Sequence, residues 1–317
     1  MYILYNLSRM LRPIVVVIVM LCTSIHVHSQ SLSMIKYKDQ VYTISITNNI
    51  PYYNNTNASV KSKYYLFDLF RPKEDTSGFK PLIIWMHGGG FKFGNKKSGG
   101  LPLWCREFAK RGYICASINY RLSKKKPLRR FPDLVEGCLD ATEDLQKAIT
   151  YFKQNNALYK IDTSKIIVAG NSAGGITGLQ AVYSSPYEMM QLINKPGYDS
   201  LNRNHNPGSI CAVINFWGAL FDSNWLKNEK IPIVSVHGEK DRIVKFDHQG
   251  PVNGSLVIHR MADSLGIPNR LKSFPGYGHE LQKHFNPLFI GKKAKRRWKE
   301  AADFAAAFLY HELFQTK

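Results

Sequence analysis

A serine stands in a sharp, glycine-rich turn near the middle of the chain. Residues 165–178, KIIVAGNSAGGITG, run from a β-branched apolar stretch through a G-x-S-x-G turn into a helical pattern. A strand, turn and helix in this order place Ser172 at the apex of the turn with its hydroxyl pointing outward. The first N–H groups of the helix, including that of Ala173, can donate to a developing oxyanion. The pattern predicts a nucleophilic serine for acyl transfer, with a tight β–α crossing as the alternative.

A run of three glycines, HGGGF at residues 87–91, follows an apolar stretch that is typical of a buried strand. Glycines let a backbone pass close to a substrate oxygen and point its N–H groups at that oxygen. Acyl transfer needs such donors because negative charge develops on the carbonyl oxygen, and loss of one donor lowers the rate by about 10²–10³. The chain has no G-x-x-x-x-G-K-[ST] motif of a phosphate-binding loop. Ahead of the turn serine, HGGGF predicts an oxyanion-binding loop.

A serine hydroxyl needs a histidine base, and that base must be held by a carboxylate. Among 10 histidines, His279 lies in FPGYGHE, on a glycine-flanked loop after the last predicted strand. Such a loop can place an imidazole over the sheet edge, and this position also satisfies the chain order serine, acid, histidine. Other histidines lie in patterns that favour other roles: His26, His28, His87, His205, His237, His259, His284 and His311. The sequence therefore predicts His279 as the base.

The best candidate for the acid is Asp241, in PIVSVHGEKDRIV, just past the sixth predicted strand. Its position lets a strand-end loop point the carboxylate at His279, which it would orient and stabilise in the charged form. Glu239 and Asp247 are close competitors, and Asp222 follows the fifth predicted strand. The first two are expected to face water.

Strand and helix patterns alternate along the rest of the chain. Several strand-like stretches are apolar on both faces, as is typical of strands covered on both sides. The alternation predicts an α/β fold, with a mostly parallel central sheet and helices on both faces. The predicted strands are residues 64–70, 81–88, 113–120, 165–170, 210–218, 232–238 and 269–276, with an antiparallel edge strand or hairpin expected within 34–46. Residues 183–209, rich in Pro, Asn and Gly, predict a small cap over the carboxyl edge of the sheet, where ligands bind in such folds.

The first 29 residues have the pattern of a secretory signal peptide. Arg9 and Arg12 come without an acidic residue, a short apolar run follows, and Val27 and Ser29 are small residues before a cleavage point. The apolar run is short for a membrane span, and an uncleaved anchor is the alternative. We expect residues 30–317 to form one secreted or periplasmic domain, without stable membrane insertion.

The charge of the chain is strongly positive, since 43 Lys and Arg face 23 Asp and Glu, a formal net charge of +20. In an exported chain without a nucleic-acid motif, this balance favours an acidic glycan or an anionic surface over nucleic acid as a partner. Solubility without a specific partner explains the charge equally well. The basic run KKAKRR, residues 292–297, begins a helical pattern and is predicted to be its solvated end.

Four cysteines follow the leader, namely Cys105, Cys115, Cys138 and Cys211, and none has the C-x-x-C spacing of a zinc or redox site. Buried free thiols are the favoured interpretation. A disulfide between Cys105 and Cys138 is the alternative in an oxidising compartment.

In this order, HGGGF, GNSAGG, HGEKD and GYGHE resemble the motifs of the α/β-hydrolase superfamily, over residues 61–314. Within it, the chain is similar to bacterial esterases of the hormone-sensitive-lipase and feruloyl/acetyl-esterase-like groups. NYRLS at residues 119–123 resembles the tyrosine-arginine-leucine segment of these esterases. The resemblance implies an α/β-hydrolase fold, no metal or organic cofactor, and Gly89 and Gly90 with Ala173 as oxyanion donors, with Gly88 as the alternative glycine. Asn171 departs from the acidic residue that many lipase-like relatives carry before the serine, which affects the subgroup and not the triad.

The resemblance further implies a serine carboxylic-ester hydrolase, with acetyl or feruloyl esters of carbohydrates as substrates. A serine peptidase of the prolyl-oligopeptidase type would use the same triad, but such enzymes usually carry a propeller domain and this chain has no repeats. A binding module on an inactive hydrolase scaffold is the third interpretation. It is disfavoured because a candidate for every triad position is present.

Overall fold

The computed structural model describes residues 36–54, 61–73, 75, 78–194, 208–286 and 289–315. The predicted leader, residues 1–29, and His205 lie outside these residues. The predictions made for them are therefore not addressed by the fold.

Eight strands form one sheet in the order β1-β2-β4-β3-β5-β6-β7-β10. The first two pairings, β1 with β2 and β2 with β4, are antiparallel, and the pairings from β4 to β10 are parallel. The strands are β1 Ile44–Pro51, β2 Leu66–Pro72, β3 Lys80–Met86, β4 Ile114–Ile118, β5 Ile161–Asn171, β6 Ile210–Phe216, β7 Ile233–Gly238 and β10 Asn269–Phe274, with a separate two-residue pair, β8 His248–Gln249 and β9 Val252–Asn253. The seven predicted strands are confirmed. An antiparallel edge strand is also present, but it lies at Ile44–Pro51 and overlaps the expected stretch 34–46 only at residues 44–46.

Burial explains why the central strands lack an alternating pattern. Every residue of β3, β4 and β7 is buried, whereas the edge strand β1 is partly exposed along its whole length. Strands covered on both faces need apolar residues at successive positions, because each face meets a helix layer. The apolar runs therefore mark the centre of the sheet.

Helices cover both faces of the sheet, as the strand and helix order predicts. The α-helices are α1 Leu101–Ala109, α2 Phe131–Gln154, α3 Asn156–Tyr159, α4 Ala173–Tyr183, α5 Pro186–Gln191, α6 Ser255–Ser264 and α7 Lys292–Tyr310. The buried residues of α2, α4 and α6 belong to one core cluster, and those of α1 and α7 belong to a second cluster. Within the described residues, no helix has both the length and the apolarity to cross a bilayer.

The two cores separate the cysteines of the proposed disulfide. Cys138 of α2 belongs to the first core cluster and Cys105 of α1 to the second, across the sheet from it. All four cysteines after the leader are free thiols, three of them buried and Cys211 partly exposed. The alternative of a Cys105–Cys138 disulfide was wrong, because the two helices cover opposite faces.

The segment proposed as a cap begins far from the carboxyl edge of the sheet. Helix α4 starts at that edge and runs away from it, and the Tyr183 hydroxyl at its far end donates a hydrogen bond to the carbonyl of Ile231, just before β7. Helix α5 follows, held by a capping box between Ser185 and Glu188. Residues 195–207, on which the prediction of a cap now depends, lie outside the described residues.

Candidate active site

Ser172 occupies the turn between β5 and α4 in a conformation that few non-glycine residues adopt. Its φ is 52° and its ψ is −120°. Glycines are required around it because a Cβ on Gly174 would lie 2.0 Å from the Met86 carbonyl oxygen, and one on Gly170 would lie 2.3 Å from the carbonyl carbon of Gly174. The strained turn is therefore packed directly against β3, which fixes the position of the serine.

The predicted histidine and acid converge on this serine. Nε2 of His279 lies 3.0 Å from the Ser172 hydroxyl oxygen, and Nδ1 lies 2.7 Å from Oδ2 of Asp241. All three side chains are buried. Because Nδ1–H donates to the carboxylate, Nε2 is left as the acceptor that faces the serine O–H. This geometry would allow Ser172 to act as a nucleophile, His279 as a general base and Asp241 as an orienting carboxylate.

Asp241 is held by four hydrogen-bonding groups. Oδ1 accepts the backbone N–H groups of Ile243 (2.8 Å) and Val244 (3.0 Å), while Oδ2 faces His279 and, at 3.4 Å, Nε2 of His237. Burial alone would raise the pKa of Asp241, but the contacts with His237 and His279 outweigh it and hold this pKa below its usual value. The carboxylate therefore stays ionised beside the imidazole.

The competing acids lie in other environments. Glu239 is exposed and accepts a hydrogen bond from the Ser273 hydroxyl, and Asp222 caps a short 3₁₀ helix by accepting the N–H of Asn224. Asp247 is exposed. None of them contacts His279 among the described residues.

His237 is a part of the site that the sequence did not reveal. It ends β7 fully buried, with Nε2 2.9 Å from the Val244 carbonyl oxygen and Nδ1 2.8 Å from the Ser255 hydroxyl. Since a carbonyl can only accept, Nε2 carries the proton and can share it with Asp241. The only available signal in the sequence was its place four residues before the acid, and a residue at the end of a fully buried strand is more simply explained by core packing.

The glycine loop lies against the serine turn. The N–H of Gly88 donates to Oδ1 of Asn171 at 3.1 Å, so this donor is already engaged. Gly89 and Gly90 have φ values of 114° and 58°, which favour glycine, and no acceptor is recorded for their N–H groups within the described residues. Ala173 is the first residue of α4, where an N–H has no acceptor inside the helix. The available donors are thus those of Gly89, Gly90 and Ala173, and Asn171 braces the loop.

His87 supports the same loop from below. Its Nδ1–H donates to the Gly88 carbonyl oxygen at 2.7 Å, its ring stacks on Tyr120 at 4.2 Å, and the Tyr120 hydroxyl donates to the His87 carbonyl. Complete burial lowers the pKa of His87 to about 4, so the imidazole is neutral at pH 7. This histidine holds the loop in place and does not contact the triad.

The loop that carries His279 is held by α7 on the far side. The indole N–H of Trp298 donates to the Glu280 carbonyl (2.8 Å), and the guanidinium of Arg297 donates to the Leu281 carbonyl (2.7 Å) while covering the Tyr277 ring at 4.0 Å. The prediction that the whole run 292–297 is solvated was therefore wrong at Arg297. Its guanidinium satisfies a carbonyl that the short turn at 279–281 leaves free.

No group of three or more His, Cys, Asp or Glu residues that could hold a metal ion occurs in the part of the chain that the structure describes.

Comparison with known proteins gives the family of the chain. The model of the BD-FAE family matches residues 67–230, more than half of the chain, including the glycine loop and the serine turn. The chain belongs to the BD-FAE family. Asp241 and His279 lie beyond the matched segment of this BD-FAE chain, so the structure alone places them beside Ser172.

Relatives of this BD-FAE member include esterases from distant organisms. The probable carboxylic ester hydrolase LipM of Mycobacterium tuberculosis is 27% identical over 198 residues, which are 61% of this chain and 41% of LipM. Human arylacetamide deacetylase-like 3 is 34% identical over 109 residues, which are 34% of this chain and 24% of that protein. The chain thus spans less than half the length of these curated relatives.

Solved structures give the same fold. Esterase 2 of Thermogutta terrifontis, phosphorylated by paraoxon, aligns with a TM-score of 0.56 and 20% identity over 86% of this chain and 95% of its own. A truncated carbohydrate esterase from gut microbiota aligns with a TM-score of 0.52 and 22% identity over 83% and 98%. These similarities establish the α/β-hydrolase architecture for the BD-FAE chain.

Proposed function

We propose that this BD-FAE chain is a serine carboxylic-ester hydrolase that acts through Ser172, His279 and Asp241. The observation that carries the proposal is the hydrogen-bond chain in which His279 bridges the serine hydroxyl and the carboxylate, at 3.0 Å and 2.7 Å. Membership of the BD-FAE family supports it, as do relatives named as esterases.

In the first half of the reaction, the Ser172 oxygen attacks the ester carbonyl carbon and His279 takes the hydroxyl proton. Negative charge moves onto the carbonyl oxygen, which the N–H groups of Gly89, Gly90 and Ala173 stabilise. Collapse of this tetrahedral species breaks the bond to the alcohol oxygen, and His279 returns its proton to the departing alcohol. An acyl-serine remains.

In the second half, water attacks the carbonyl carbon of the acyl-serine while His279 takes a proton from that water. The carboxylic acid then leaves, and His279 returns the proton to the Ser172 oxygen. Asp241 keeps the imidazole in the required orientation and stabilises its positive charge in both halves. The low pKa of Asp241 suits this role because the carboxylate must not take the proton itself.

We extend the proposal to acetyl or feruloyl esters of carbohydrates. The family and the gut carbohydrate esterase among the structural neighbours support this class. A peptidase of the prolyl-oligopeptidase type receives less support, since the matched relatives and structures are named as esterases or deacetylases. A non-catalytic module is disfavoured by the complete hydrogen-bond chain.

The test is hydrolysis of 4-nitrophenyl acetate by the chain and by Ser172→Ala, which we expect to lower kcat by about 10⁴–10⁶. Ser184→Ala is the matched control, because Ser184 is a buried serine at the other end of α4, where its hydroxyl donates to the Gln180 carbonyl. Equal rates for the chain and Ser172→Ala would refute the proposal. Cleavage of a proline anilide at a comparable rate would favour the peptidase.

We also propose export directed by residues 1–29, which rests on their sequence pattern. Expression of the full chain in a bacterium, followed by cell fractionation and amino-terminal sequencing, tests it. A mature amino terminus near residue 30 in the periplasm or medium is expected. An intact leader in the cytoplasm would contradict it.

A further inference from the structure

A cavity of about 420 Å³ opens beside the imidazole of His279. Two loops form its walls: the turn after β7, at residues 240–243, and the loop after β10, at residues 276–285. The same two loops carry Asp241 and His279. Of the three proposed catalytic residues, His279 lines the cavity directly.

The walls are rich in cations. Lys240, Arg242 and Lys283 line the cavity together with His284, and their side chains are exposed. No ion pair to these four residues is recorded within the described part of the chain. The neighbouring carboxylates are engaged elsewhere, since Asp241 faces His279 and Glu280 lies 3.5 Å from the amide nitrogen of Gln282. The side chains that line the cavity thus carry positive charge and include no carboxylate.

The same cavity also has an apolar surface. Ile243 and Phe285, 45% and 40% exposed, are among the few large apolar side chains that reach solvent. The Phe285 ring meets the His279 ring edge to face at 5.2 Å. An exposed aromatic ring next to cations suits a ligand that combines a ring with a negative charge.

The turn that carries Arg242 is rigid. The carboxylate of Asp241 accepts the N–H groups of the two residues after Arg242, and the N–H of Lys240 donates to the Tyr277 carbonyl at 2.8 Å. The bonds to Asp241 order the turn at residues 240–243, and the bond from Lys240 joins the two walls. Lys240 and Arg242 are therefore attached to a backbone that Asp241 orders, which lowers the cost of placing a charged ligand.

The position of the cavity identifies the part of the ester that it faces. In the proposed mechanism His279 hands its proton to the leaving oxygen, so the alcohol must lie against the imidazole. We infer that this cavity binds the alcohol part of the ester, and that it selects an alcohol bearing a carboxylate, such as a hexuronate unit of an acidic glycan. The sugar ring would pack on Phe285, while Arg242 and Lys283 bind the carboxylate. This inference rests on the proposed function and specifies its substrate class.

The test compares two esters that differ only in charge: an O-acetylated methyl galacturonoside and its carboxamide. We expect kcat/KM to be about fivefold to tenfold higher for the charged ester, and the ratio to fall when salt is raised from about 0.02 M to about 0.5 M. In the double variant Arg242→Gln/Lys283→Gln the ratio should fall to about one. Because a ratio is measured, any general loss of activity cancels.

The control is Lys110→Gln/Lys153→Gln, which removes the same charge from lysines that follow α1 or end α2, at the opposite edge of the sheet. In this control variant, the ratio of kcat/KM for the charged ester to that for the carboxamide should equal the ratio in the unmodified chain. A ratio near one in the unmodified chain, or a ratio that survives Arg242→Gln/Lys283→Gln, would overturn the inference while leaving the esterase proposal intact.

A binding measurement separates the two proposals. Trigalacturonate is titrated calorimetrically into the Ser172→Ala chain with and without Arg242→Gln/Lys283→Gln. At least fivefold weaker binding in the triple variant is expected, whether or not the chain hydrolyses esters. Equal binding would contradict the inference, whereas failure to hydrolyse 4-nitrophenyl acetate would contradict only the proposed function.

Discussion

The serine and the histidine of the site are held in place by different means. Ser172 sits in a turn fixed by backbone packing, where Gly170 and Gly174 allow α4 to lie directly on the neighbouring strands. His279 sits on a loop fixed by side chains, since Arg297 and Trp298 of α7 bond to the carbonyls that follow it. The serine side therefore tolerates almost no added atom, while the histidine side depends on contacts that can be removed singly.

This difference predicts that substitutions on the serine side act by steric displacement and those on the histidine side by loss of orientation. A displaced nucleophile affects every step of acyl transfer. A loosened histidine loop still reaches the correct position for part of the time, so its losses should be smaller.

The largest effect is expected for Gly174→Ala. The added methyl group would lie 2.0 Å from the Met86 carbonyl oxygen, so the turn must move and kcat/KM should fall by about 10³. Gly178→Ala in the same helix is the control, because its methyl group would make an ordinary contact with Val168 at 3.6 Å, and we expect stability to rise by about 0.5–1 kcal/mol. For both variants, ester hydrolysis measures kcat/KM and thermal unfolding measures stability. Activity of Gly174→Ala within threefold of the original would refute the steric argument.

The next largest effect is on folding stability at acid pH, through His87 on the serine side. Burial lowers the pKa of His87 to about 4, below the unfolded value of 6.5. The neutral imidazole therefore contributes fully to the free energy of unfolding above pH 6.5, and this contribution is lost as the pH falls toward 4. The loss amounts to about 3 kcal/mol. Guanidinium unfolding at about pH 7.5 and about pH 4.5 should show a smaller pH dependence for His87→Phe than for the original chain. His259, whose pKa burial also lowers to about 4, contributes to the dependence that remains. An unchanged pH dependence would contradict the assignment to His87.

The smallest effect is expected for Arg297→Gln on the histidine side. Loss of the bond to the Leu281 carbonyl and of the contact with Tyr277 should lower kcat about tenfold with little change in KM. Arg296→Gln is the matched control. Arg296 is the neighbour of Arg297 in the chain, and its exposed side chain has no partner among the described residues. Steady-state kinetics on 4-nitrophenyl acetate decide the matter, and equal kcat values for the two variants would remove the proposed role of α7.

The same contrast explains what could be predicted from the sequence. Ser172 and the glycine loop were predictable because local backbone conformation determines them, and local conformation leaves a mark in glycine spacing. His279 and Asp241 followed from their order after strands whose carboxyl ends share one edge. The fold class was also predictable, since buried apolar runs mark a sheet that is covered on both faces.

Features determined by distant residues were not predictable. The sequence pattern predicts Arg297 to be part of a solvated basic run, and only the fold shows that it contacts the carbonyl of Leu281. The sequence pattern predicts His237 to be the end of a buried strand, and only the turn that follows it brings Asp241 next to the imidazole. The separation of Cys105 from Cys138 likewise depends on which face each helix covers.

The thiols of the described cysteines have a consequence for handling the protein. Burial raises the pKa of Cys105, Cys115 and Cys138, and also that of the partly exposed Cys211, so little of any of them is thiolate near neutral pH. Thiolate is the form that oxidants and disulfides attack. The domain should therefore keep its activity in the presence or absence of dithiothreitol, and it should fold in a reducing cytosol as well as in an oxidising compartment.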